Sequence, residues 1–137
     1  MNYTVSMQPG YLLAELVGRQ TAEETTQFLK AAHAAVLEQR ASRVLLWIRS
    51  SRAIFKVEEY RLNTMIDIAM DLRLRIALAS DSTDVFLSHQ YVEMLAKQRG
   101  LPLRAFRDDK AALEWLLEDA APRTARLRRR ERSTSRS

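Results

Sequence analysis

The sequence predicts an α/β fold with element order β-β-α-β-α-β-α-β-α and a mostly parallel five-stranded sheet flanked by helices. Three observations predict it. VLLWI and RIALAS are short runs that stay apolar on consecutive positions, as strands covered on both faces do. Around them lie segments with apolar residues at helical spacing. Near the N-terminus, apolar and polar residues alternate on either side of Pro9-Gly10, which is a hairpin pattern. Helices alternating with strands imply parallel pairing through right-handed crossovers.

Each element has its own signal. Tyr3, Val5 and Met7 alternate with polar residues, and YLLAELVG resumes the extended run after the turn. Thr21 with Glu24 three residues on forms a capping box that starts the first helix, whose stripe is Phe28, Ala32, Ala35 and Val36. VLLWI follows as a buried strand and ends at Ser50-Ser51. Leu62, Met65, Ile66, Ala69 and Leu72 make the stripe of the second helix. RIALAS is the next strand, after which Asp81 or Ser82 caps a third helix. Its expected inner face is Leu87, Tyr91, Met94 and Leu95, and Gly100 ends it. LPLRAF is the last strand. Asp108 or Asp109 caps a closing helix with Ala112, Trp115 and Leu116 inward.

Composition narrows the function classes. A chain of 137 residues fits one domain. The absence of cysteine excludes disulfides, thiolate chemistry and cysteine-ligated zinc. No signal-peptide pattern or membrane-length apolar run is present, so the expected location is cytoplasmic. The net charge of +5 is unevenly spread: residues 122–137 hold seven arginines (Arg123, Arg126, Arg128, Arg129, Arg130, Arg132 and Arg136) against Glu131, whereas residues 1–121 carry 15 basic and 16 acidic side chains. The expected organisation is a domain over 1–121 and a disordered, arginine-rich tail over 122–137. Such a tail binds polyanions without sequence preference, because it carries no aromatic side chains to stack on bases.

The succession RVLLWIRSS, RIALASD and LPLRAFRDDKAALEWLLE resembles the SpoIIAA-like proteins, small bacterial relatives of the STAS domain and, more distantly, of a lipid-transfer fold. The resemblance covers roughly residues 3 to 118. It implies a (βα) superhelix, and a binding or regulatory role in place of catalysis. In the STAS antagonists of anti-sigma factors, the phosphorylated serine lies in an Asp-Ser-Ser-Gly motif at the start of the helix after the second crossover strand. The positions that match it here are Phe55, Lys56, Val57 and Glu58, with neither serine nor glycine. Ser50 and Ser51 fall about one helical turn earlier, and no phosphorylation switch carries over.

Three kinds of site remain. Ser50, Ser51, Arg52, Phe55 and Lys56 form a basic loop at a strand carboxyl end, a place where α/β sheets bind ligands; it is the expected contact for an anion or a protein partner. The loop lacks the glycines of a phosphate-binding loop. Tyr60, Met65, Phe86, Tyr91 and Met94 form the alternative site, the lining of an apolar cavity that would carry a small molecule or lipid. The tail arginines are the third. Ser88-His89 shows no nucleophile-elbow motif, and both His33 and His89 are read as surface or boundary residues. The leading expectation is a non-enzymatic interaction domain that uses no cofactor or metal and binds a protein partner, with a homodimer left open.

Overall fold

The computed structural model describes residues 1–52 and 59–118, with backbone alone at 59–61. Phe55, Lys56, the Tyr60 side chain and the tail arginines lie outside the described residues. The elements are β1 (Asn2–Gln8), β2 (Tyr11–Val17), α1 (Ala22–Gln39), β3 (Arg43–Arg49), α2 (Glu59–Asp71), β4 (Arg75–Ser80), α3 (Thr83–Arg99), β5 (Leu103–Phe106) and α4 (Asp109–Leu116). The five strands lie side by side in chain order. β1 and β2 form an antiparallel hairpin, and the later pairs are parallel.

Sequential strand order decides where the helices go. Three crossovers of one hand, each stepping the same way along the sheet, place their helices on one face. Leu12, Ala14 and Leu16 of β2, Val44, Leu46 and Ile48 of β3, and Ile76 and Leu78 of β4 pack toward α1, α2 and α3. The alternate residues Leu45, Ala77 and Ala79 point the other way and meet Ala112 and Leu116 of α4. Among the described residues the helical layers are therefore unequal, three helices against one. β3 and β4 are the strands covered on both faces, which is why their sequences are apolar on consecutive positions.

Local chemistry sets the helix ends. Thr21 and Glu24 form both halves of the capping box. Ser82 caps α3, its hydroxyl accepting from the Val85 N–H at 3.3 Å, and Asp108 caps α4, accepting from the Ala111 N–H at 2.7 Å. Gly100 closes α3 at φ +84°, a left-handed conformation that costs glycine no Cβ clash. Among the described residues no helix is long and apolar enough to cross a membrane.

The inner face of α3 departs from expectation. Val85, Ser88, His89 and Ala96 are buried there, whereas Leu87 and Met94 are each 47% exposed. Ser88 and His89 share the inward side with Val85 and Ala96, so the expected stripe holds in part: Tyr91 and Leu95 pack inward, and Leu87 and Met94 do not. His89, expected near the surface, belongs to the interior. Trp115 of α4 is half-buried; its ring lies 5.7 Å from that of Phe106 and carries the Arg75 guanidinium 3.8 Å from its centroid.

Candidate functional site

β2 and β3 run parallel and end together, and their exits are tied to each other. Gly18 turns the chain after β2 at φ +77°, and its N–H donates to the Arg49 carbonyl at 3.1 Å. The Arg19 N–H donates to the Ser51 hydroxyl at 3.0 Å, and that hydroxyl donates to the Arg49 carbonyl at 2.9 Å. The Arg52 N–H donates to the Arg19 carbonyl at 2.9 Å. Ser50 takes a left-handed φ of 48°, and its N–H donates to both carboxylate oxygens of Asp81, at 3.1 and 3.2 Å. Asp81, one of the two expected caps, therefore tethers the β3 exit to the β4 exit and leaves capping to Ser82. Ser51 fastens Arg19 through its hydroxyl, and Ser50 fastens the loop through its backbone N–H.

This clamp turns the Arg19 side chain inward. Arg19 is 6% exposed. Its Nη1 donates to the Thr25 hydroxyl at 3.2 Å and its Nη2 to the Arg52 carbonyl at 2.6 Å. Nε is buried without a hydrogen-bond partner. Among the described residues no carboxylate stands within ion-pair distance of it; Glu24 acts on it through space while accepting from the Gln20 and Thr21 N–H groups at 2.6 and 3.2 Å. Burial pushes the Arg19 pKa below its ordinary value, partly opposed by Glu24.

Arg19 lines one end of an apolar cavity of about 270 Å³ between the sheet and α1–α3. Val44, Leu46, Ile48, Ile76 and Leu78 form its floor, Phe28, Ala32 and Val36 one wall, and Leu62, Met65, Ile66 and Ala69 another. α2 is packed against α3 and approaches the sheet less closely than α1 and α3 do, which leaves the space open. Leu74, Leu101 and Leu103 line the cavity near the amino ends of the strands. Its length is accordingly graded, polar at the carboxyl edge of the sheet and apolar at the amino edge.

His89 lies at the polar end with Arg19 and Ser88. It is 7% exposed, and its Nδ1 has no hydrogen-bond partner. Burial, reinforced by the positive charge of Arg19, lowers its pKa to about 3, so the imidazole is neutral near pH 7. The Ser88 hydroxyl donates to the Val85 carbonyl at 2.8 Å within α3, so this serine is bonded to its own helix and is not paired with the adjacent histidine. Among the described residues no three His, Cys, Asp or Glu side chains gather to hold a metal ion.

The structure distributes the sequence-predicted residues unevenly. Met65 and Tyr91 line the cavity. Phe86 instead lies under the Arg107 guanidinium, 5.6 Å from ring centroid to Cζ, and Met94 faces outward. Ser50 and Arg52 are exposed beside the polar end, and Ser51 is half-buried there. Sequence reasoning missed Arg19 altogether, while His33, read as a surface or boundary residue, is half-buried and borders the cavity. The available signal for Arg19 was positional: an arginine directly after a glycine at the carboxyl end of a parallel strand.

No protein-family model matches the chain, and no curated protein matches it in sequence.

Proposed function

We propose that the chain is a non-enzymatic binding protein that takes up an apolar small molecule between its sheet and helices, as a carrier or a sensor. The cavity carries this reading. About 270 Å³ of apolar-lined space lies between the sheet and the helices, and apolar surface of that kind is favourable to cover. An apolar occupant would cover it. The enclosing side chains fit the general pattern of ligand sites, mostly apolar with a few polar groups that orient the guest. The bonding of Ser88 to its own helix supports a binding role over hydrolysis. The resemblance to the SpoIIAA-like proteins, distant relatives of a lipid-transfer fold, agrees with a binding role.

A second reading, a regulatory contact with a protein partner, draws on one observation. The exposed loop at Ser50 and Arg52 is bonded directly to Arg19 at the polar end of the cavity, so a guest that moves Arg19 also moves that surface. Native mass spectrometry of the purified full chain tests the first reading. A co-purifying mass of a few hundred daltons, released on unfolding, is the expected result. A protein that stays at its sequence mass, and whose thermal midpoint no apolar compound shifts, would count against it.

A further inference from the structure

This inference rests on the cavity reading and names the chemistry of its guest. From the positions of Arg19 and His89 we infer that the cavity binds an amphipathic monocarboxylate, its head at Arg19 and its apolar body along the sheet toward the amino ends of the strands. A buried guanidinium without an ion-pair partner is costly, and its two acceptors among the described residues, the Thr25 hydroxyl and the Arg52 carbonyl, carry no charge. Its Nε–H is buried without a partner, in a side chain that lines the cavity. That N–H and a neighbouring Nη–H make the two-pronged edge that a carboxylate accepts from. His89 adds a ring nitrogen with no partner at the same end, and as a neutral imidazole it offers one hydrogen bond without a second positive charge.

Charge and length set the class of ligand. Among the described residues Arg19 is the buried cation of the lining, Lys30 being exposed, and it balances one negative charge; a phosphate monoester brings nearly two. The apolar body has room to lie alongside β3, where Val44 to Ile48 rises about 13 Å at ~3.3 Å per residue. Fatty acids of middling length and aryl-alkyl carboxylates share these features. A purely structural Arg19 would make no distinction between an acid and the corresponding alcohol.

Calorimetric titration of the full chain with decanoate, decanol and decyl phosphate tests the assignment. Decanoate is expected to bind at least about tenfold tighter than decanol. Arg19→Lys, which keeps the charge but loses the planar fork, should remove most of that advantage, bringing the decanoate-to-decanol affinity ratio toward one. Equal binding of decanoate and decanol would overturn the carboxylate assignment and leave the cavity reading standing, whereas failure of both to bind would sink the two together. Tighter binding of decyl phosphate than of decanoate would refute the singly charged head. Should Arg19→Lys not fold, carboxyl-labelled decanoate on the unaltered protein still decides by carbon NMR: a bound carboxyl that titrates below free decanoate supports the Arg19 contact, and one that titrates at or above it rules the contact out.

Discussion

At the scale of single residues, the polar end of the cavity couples stability to pH and to one hydroxyl. His89 is neutral in the folded protein, with a pKa near 3, whereas a histidine in the unfolded chain protonates near pH 6.5. Between those values the unfolded state holds a proton that the folded state lacks, so stability falls as pH drops from about 6.5 toward 3 and is flat in this respect above 7. The slope is roughly 1.4 kcal/mol per pH unit within the window. His89→Leu should abolish this slope in urea unfolding measured at pH 4, 5, 6 and 7; an unchanged slope would mean that His89 does not titrate as a buried group. The paired serines make a second prediction. Ser51→Ala removes the acceptor of the Arg19 N–H and a donor to Arg49, costing about 1–2 kcal/mol. Ser50→Gly trades the strain of a left-handed serine, ~1–2 kcal/mol, for glycine's extra chain entropy, ~0.5–1 kcal/mol, and should be neutral or slightly stabilising. Equal losses from the two changes would contradict the division of labour between them.

At the scale of elements, what the sequence revealed depended on whether one physical signal dominated. The buried strands were legible because VLLWI and RIALAS need cover on both faces, and α1 was legible because Thr21 and Glu24 leave little ambiguity about where it starts. α3 was legible as a helix but only in part in its orientation: Tyr91 and Leu95 face inward as expected, whereas Ser88 and His89 beside them are bonded or neutralised by burial that only the folded chain supplies. The caps were ambiguous for a similar reason: Asp81-Ser82 and Asp108-Asp109 each offer two suitable side chains. In the first pair the choice goes to Ser82, because Asp81 is engaged by the Ser50 N–H across the sheet. In the second, Asp108 has the capping geometry. Asp108→Ala should therefore destabilise the protein by about 1 kcal/mol, and Asp109→Ala, which loses only an acidic side chain in the first turn, by a few tenths. Chemical denaturation of the two variants separates them. A reversed order would place the start of α4 one residue later.

At the scale of the whole molecule, the unequal helical layers account for the cavity, and the cavity offers a stability test independent of any ligand. Among the described residues α4 alone closes its face, against alanines Ala77 and Ala79 that let it sit close. The opposite face must be covered by three helices of different reach, and α2, the helix farthest from the sheet, leaves a void over Leu46 and Leu78. In a densely packed interior, enlarging a buried alanine forces side chains off their rotamers and costs ~1–3 kcal/mol. Ala69 is 5% exposed and lines the void, so the added atoms of Ala69→Leu have space to occupy and apolar surface to cover. The ligand-free variant should consequently unfold at a higher temperature than the ligand-free parent, by a few degrees for about 1 kcal/mol in a domain of this size. It should at the same time bind decanol and decanoate less tightly, because the substitution takes volume from either guest. Stabilisation together with weakened binding is the signature of a filled cavity. A loss of about 1–3 kcal/mol, as overpacking gives, would show that α2 closes onto the sheet in solution and that no room for a guest remains there.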